Sequence, residues 1–235
     1  MAVVTETTRP TPIIALDLPT SDKALSLVGE LGDACRFYKI GNELFTSVGP
    51  EVVRQVRERG AEVFLDLKLH DIPNTVAGGV RGAAAMGARL VTVHATGGLA
   101  MLRAAVDAGG AACGVLAVTV LTSLTAEDIA RSWGRASVEV GDEVLRLAEL
   151  AAEAGAHGIV CSGREAGAIR ERFGDRLATL VPGVRAAGGA VQDQARVVTP
   201  AEAAAARATY VVIGRMVTAA ADRVAAMTAV AAQLA

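Results

Sequence analysis

Aromatic side chains are scarce, 3% of 235 residues, with a single tryptophan. Too few rings are present to stack successive bases, which argues against a single-strand nucleic-acid platform. Net charge is scarce too, formally −2. With no Lys/Arg-rich run, no field is expected to gather nucleic acid or anionic lipid. No apolar run reaches membrane-spanning length, and the N-terminal MAVVTETTRP lacks a secretory core, so the expected location is cytoplasmic. The cysteines, Cys35, Cys113 and Cys161, are scattered, odd in number and form no C-x-x-C pair. This opposes a disulfide framework or zinc site, and each is expected to serve as a small core residue. His70, His94 and His157 stand too far apart for metal-ligand spacing. Neither a G-x-S-x-G elbow nor a G-x-G-x-x-G after the first apolar run is found, which opposes a nucleophilic serine and a dinucleotide fold.

What the chain does have is small aliphatic bulk. Hydrophobic residues make up 52%, chiefly Ala, Val and Leu. Short apolar runs bounded by turn or polar residues predict strands at Ile13–Asp17, Arg36–Ile40, Val63–Lys68, Leu90–His94, Gly114–Thr119, Gly158–Cys161, Leu177–Val181 and Tyr210–Ile213. Stretches of helical length lie between them, among them Asp22–Leu31, Pro50–Arg59, Gly141–Ala154, Arg164–Phe173 and Pro200–Arg207. Start signals mark several: Thr20-Ser21-Asp22, Gly49-Pro50 and Thr199-Pro200-Ala201-Glu202. Repeated βα units imply a parallel sheet, and eight in this length fit one closed (β/α)8 TIM barrel of the phosphate-binding type. The expected organisation is a flexible arm over residues 1–10 and one catalytic domain over 11–235. The Gly/Ala-rich Arg185–Val191 is expected as a loop.

Strands of a parallel barrel should be nearly all apolar, so charged residues on them are informative. Asp17 ends the first run, Lys39 lies near the end of the second, Asp66 and Lys68 end the third, and Asp71 follows. Side chains alternate along a strand, which puts Phe64, Asp66 and Lys68 on one face and Val63, Leu65 and Leu67 on the other. Facing inward at the barrel mouth, the charged pair reaches the end where barrel enzymes place their chemistry. Adjacent strand ends then form a cluster of alternating sign: Asp17, Lys39, Asp66, Lys68, Asp71. A structural ion-pair network at the rim is the alternative reading.

The end of the chain suggests an anion site. The eighth run leads into Gly214-Arg215, where backbone N–H groups can approach a phosphate, a following helix can offer its positive end, and arginine can fork two oxygens. Pro182-Gly183-Val184-Arg185 brings a second arginine after the seventh run, and these two loops are the usual phosphate site of such barrels. Thr122 and Ser123 are candidate hydrogen-bonding groups for a polar ring, or plain turn residues.

The run Asp66-Leu67-Lys68-Leu69-His70-Asp71-Ile72-Pro73-Asn74-Thr75-Val76 closely resembles the orotidine 5′-phosphate decarboxylase signature in its bacterial form. The likeness extends through Ala15-Leu16-Asp17, Tyr38-Lys39-Ile40-Gly41, Val93-His94-Ala95, Leu121-Thr122-Ser123, Val181-Pro182-Gly183-Val184-Arg185, Asp193-Gln194 and Val212-Ile213-Gly214-Arg215. Val184 stands where many relatives have isoleucine. The resemblance implies that Lys68 is a proton donor and that Lys39, Asp66 and Asp71 form a charged network around it. It implies that Asp71 reaches into a neighbouring subunit's site, accompanied by Thr75, so that a homodimer shares its active sites. Asp17 and Lys39 match ribose-side contacts, Thr122 a substrate contact, and Arg185, Gln194, Gly214 and Arg215 the phosphate-side group. The family uses no cofactor or metal and supplies UMP to pyrimidine synthesis.

Two other functions compete. A sugar-phosphate decarboxylase or synthase of the same barrel type also carries Asp-x-Lys-x-x-Asp on its third strand but holds Mg²⁺ through an acidic residue on its second. Lys39 and the His-Asp-Ile-Pro-Asn-Thr continuation oppose that reading. A non-catalytic nucleotide-binding barrel would need the phosphate grip but not an intact Asp-Lys-Asp cluster.

Overall fold

The computed structural model describes residues 9–185 and 196–235. Its eight strands are β1 (Thr11–Ala15), β2 (Phe37–Gly41), β3 (Glu62–Leu69), β4 (Leu90–His94), β5 (Gly114–Val118), β6 (Gly158–Val160), β7 (Ala178–Val181) and β8 (Tyr210–Ile213). They pair in sequence order, all parallel, and β8 closes on β1 through Thr11↔Tyr210 to Ile14↔Ile213. The expected (β/α)8 barrel is therefore the observed one.

Alternation along the strands sorts the apolar side chains into two cores. Ile13, Phe37, Phe64, Leu90, Leu180 and Tyr210 belong to the group that fills the barrel interior. Ile14, Ile40, Leu65, Val91 and Val211 belong to the larger layer beneath the helices. Inside, Tyr210 and Phe37 pack with their rings perpendicular and centroids 6.2 Å apart, and help fill the N-terminal end. Gly158 allows β6 to approach β7, since a Cβ there would stand 2.2 Å from the Ala178 carbonyl oxygen.

The start signals at Thr20 and Thr199 act as their sequences imply, and Pro50 stands at the N-cap of Glu51–Glu58. Thr20 caps Ser21–Leu31 by accepting from the Lys23 N–H. Thr199 and Glu202 form a reciprocal capping box at Pro200–Ala205, and Ser162 with Glu165 forms another at Gly163–Phe173. The cysteines are core residues, and burial pushes the Cys113 thiol up to about 11. Pro10 is already buried beside β1; residues 1–8 of the expected arm, and all but Arg185 of the expected Arg185–Val191 loop, lie outside the described residues.

Three expectations change. β1 stops at Ala15, so Asp17 lies two residues beyond it rather than ending it. β3 continues to Leu69, one residue past Lys68, and its pairing with β4 is irregular between Leu65 and Leu69. The helix after Gly214 is a single turn, Arg215–Thr218, too short to present a useful positive end.

Candidate active site

The barrel interior turns from apolar to polar towards its C-terminal mouth. A cavity of about 520 Å³ opens there. Ala15, Phe64, Val118, Val160, Leu180 and Val212 line it along with polar groups on the strand ends and loops.

One wall is a chain of alternating charge. The Lys39 ammonium donates to Asp17 Oδ1 at 2.7 Å and stands 3.9 Å from Asp66 Oδ2. Lys68 Nζ donates to Asp66 Oδ1 at 2.8 Å. Asp66 is thus faced by an ammonium at each oxygen. The side chains of Lys39 and Asp66 are 11% and 15% exposed, so their pairing has a desolvation cost to offset, while Lys68, at 32%, reaches into the cavity. Gly41, at the end of β2, keeps room for this wall: a Cβ there would stand 2.9 Å from Lys39 Nζ and 3.3 Å from Asp17 Oδ1.

The local backbone is irregular where these two charges sit. Leu65 pairs with Val91 and Leu69 with Val93, so β3 spends more residues than β4 across Asp66–Lys68. The strand bulges there, a device that re-aims side chains near active sites. Lys68 takes φ +50°, the left-handed region that a lysine enters at a cost on the order of 1–3 kcal/mol. Arg207, at φ +56°, simply follows the end of a helix. Lys68 has no such excuse, and its strain sits where the chemistry is expected.

Asp71 is a correction. Within one chain it does not join the cluster. Its carboxylate is exposed and accepts from the Ile72 N–H at 2.6 Å. Thr75 is exposed on the first turn of the helix Pro73–Ala85, and neither residue lines the cavity. Between them Ile72 projects with 67% of its surface exposed.

The same cavity is lined by Arg185, after β7, and by Gly214 and Arg215, after β8. Arg185 donates to the Val184 carbonyl at 2.9 Å. Two guanidinium groups near a backbone glycine are suited to a phosphate. Gln194 lies outside the described residues. Thr122, 9% exposed, borders the cavity after β5.

Several residues near the site carry no clear sequence signal. Thr92 on β4 is fully buried and donates to Asp66 Oδ1 at 3.0 Å. Glu43 and Thr218 also line the cavity. Arg196 bonds Glu165 at 2.8 Å and the Val120 and Leu121 carbonyls at 3.3 and 3.2 Å, which fixes the backbone leading to Thr122.

The histidines take other places. His94 lies against His70, with ring centroids 5.3 Å apart. Burial first, then the nearby His70 and Lys68, push the His94 imidazole below its ordinary range, which favours a neutral ring at pH 7. His157 bonds Tyr210 at 3.1 Å, at the N-terminal ends of β6 and β8.

Among the described residues, no cluster of three His, Cys, Asp or Glu side chains is placed to hold a metal ion. What the cavity carries is two ammonium groups paired with carboxylates, together with two arginines.

Comparison with known proteins gives consistent matches. Residues 10–230 match the family model described as Orotidine 5′-phosphate decarboxylase / HUMPS family. The chain is 48% identical over 232 residues to the orotidine 5′-phosphate decarboxylase of Halorhodospira halophila, covering 96% of each chain. It is 50% identical to that of Anaeromyxobacter dehalogenans, covering 94% of this chain and 96% of the relative. The crystal structure of orotidine 5′-phosphate decarboxylase from Lactobacillus acidophilus is similar with a TM-score of 0.84 at 35% identity, covering 96% of this chain and 99% of that one.

Proposed function

The chain belongs to the orotidine 5′-phosphate decarboxylase / HUMPS family, and from that premise we propose how its site converts orotidine 5′-monophosphate to UMP and CO₂. The activity is that of a carboxy-lyase of pyrimidine biosynthesis. The observation that carries the mechanism is the Asp17–Lys39–Asp66–Lys68 chain, on the same cavity as Arg185 and Arg215.

The phosphate is gripped by Arg185, Arg215, Gly214 and Gln194. Asp17 and Lys39 bind the ribose, and Thr122 bonds the pyrimidine. The ring then lies with C6 beside Lys68. The C6–carboxylate bond breaks, CO₂ departs, and the electron pair stays on C6. That pair lies in the ring plane, out of conjugation with the π system, and the fixed ammonium of Lys68 stabilises the developing carbanion. Its Nζ then gives a proton to C6, and the neutral amine regains one from water. Asp66 stands beside the departing carboxylate. Like-charge repulsion there is one source of acceleration, but the larger share is assigned to Lys68, which is already held in place before reaction.

Phosphate binding far from C6 contributes by organising the closed site. Arg215→Ala is expected to lower kcat/KM by ~10²-fold or more. Steady-state kinetics check this, and unchanged values would remove Arg215 from the phosphate site.

The metal-dependent sugar-phosphate reading is weaker because both Asp66 oxygens face ammonium groups. Lys39 also occupies β2, where that chemistry needs an acidic ligand. Conversion of orotidine 5′-phosphate, followed by loss of pyrimidine absorbance, should survive exhaustive EDTA treatment. Activity that vanishes with EDTA and returns with Mg²⁺ would favour the rival.

The same reading makes residues 11–235 one catalytic domain working in the cytoplasm as a homodimer, with Asp71 and Thr75 completing the neighbouring subunit's site. The exposed Ile72 between them supports such a contact. So does the outer face of Pro73–Ala85, where a Cβ on Gly82 would meet nothing and a second backbone could approach closely.

A further inference from the structure

The buried threonines of the barrel differ in what their hydroxyls serve. That of Thr119 donates to the Val160 carbonyl at 2.7 Å and supports the sheet. Thr92 serves the charged wall. It has no exposed surface, and its Oγ1 accepts from the Lys68 backbone N–H at 2.9 Å while donating to Asp66 Oδ1 at 3.0 Å. The direction of both bonds is fixed by their partners: an amide N–H can only donate, and an ionised carboxylate can only accept.

These bonds close a loop. Lys68 N–H points to Thr92, Thr92 points to Asp66 Oδ1, and the same oxygen receives Lys68 Nζ at 2.8 Å. The lysine is thereby held at both its backbone and its ammonium, and Thr92 bridges the two. It also resolves a backbone problem. The bulge withdraws the Lys68 N–H from the regular β3–β4 ladder, and at φ +50° that N–H still needs an acceptor. The Thr92 hydroxyl supplies it.

We infer that Thr92 is a positioning residue for the decarboxylation, fixing the strained Lys68 backbone and the Asp66 carboxylate so that the Lys68 ammonium is aimed at C6. It is not among the residues lining the cavity, so it acts through Lys68 and Asp66 rather than on the substrate. The inference rests on Lys68 being the proton donor.

The test compares Thr92→Val, Thr92→Ser and Thr92→Ala, measuring kcat and KM for orotidine 5′-phosphate and the Kd of UMP. Valine keeps the shape and removes the hydroxyl. Serine and alanine differ from each other by the hydroxyl alone, so that pair isolates it even if the valine variant folds poorly. A misaimed reacting group should lower kcat by ~10- to 10²-fold in the valine and alanine variants. KM and UMP Kd should stay within ~3-fold, and serine should hold kcat within ~3-fold of the unsubstituted protein. The inference is overturned if Thr92→Val keeps more than about half of kcat, if the loss falls on KM, or if serine is as impaired as alanine. An unsubstituted protein that does not convert orotidine 5′-phosphate overturns the decarboxylase reading and this inference with it. Conversion that is indifferent to Thr92 overturns this inference alone.

Discussion

Lys68→Ala is expected to lower kcat at least ~10³-fold while leaving UMP binding intact, because in the proposed mechanism it would remove both the charge that stabilises the carbanion and the proton that quenches it. Binding should persist because the residues proposed to hold the phosphate and ribose, Arg185, Arg215, Asp17 and Lys39, remain on the cavity. The fold should persist too. Asp66 keeps its bond from Thr92 and its proximity to Lys39, so its carboxylate is not left buried without a partner. Alanine would inherit the left-handed backbone of residue 68, a strain that the surrounding barrel already sustains in lysine. Single-turnover kinetics, with calorimetry for UMP, separate the two effects. A variant that keeps a tenth of the parental kcat would rule out Lys68 as the donor.

The barrel was legible because its strands obey one rule, and the charged wall because it breaks it. Strands buried on both faces read as apolar runs, and a charge inside one must reach a polar surface. Lys39, Asp66 and Lys68 satisfy that logic. Alternation correctly placed Phe64, Asp66 and Lys68 on one face, yet the bulge that accompanies this placement was not visible. It depends on the register of β3 against β4, which no single strand encodes. Thr92 escaped for another reason. A threonine in a strand is ordinary, since β-branched residues suit the pleat, and only its neighbours across the sheet reveal its task. Arg196 likewise has meaning only beside Glu165 and the Val120 and Leu121 carbonyls, remote in sequence. The single-turn helix after Gly214 shows the limit of fold-level expectation, because the proposed phosphate site would then rely on arginine and backbone rather than on a helix terminus.

In the proposed shared site, Asp71 is the residue that would keep one chain from working alone. Lys68 points into the barrel, but Asp71, after a short turn, has its carboxylate outside, bonded to the Ile72 N–H. Drawing it back to its own Lys68 would mean breaking that bond and reversing the turn into Pro73, the first residue of a helix. Offering it to a neighbour requires neither. A two-fold contact would use the same surface twice, cover both copies of Ile72 and set each Asp71 beside the other chain's Lys39 and Lys68. Complementation tests this. Lys68→Ala subunits and Asp71→Ala subunits should each be nearly inactive alone. In a mixed dimer one site carries both lesions and the other carries neither. Random exchange should therefore restore up to ~25% of parental activity, since half the dimers are mixed and half their sites are intact. Mass spectrometry of the intact assemblies verifies the exchange. If mixed dimers form and no activity returns, Asp71 serves its own chain and the shared site is wrong.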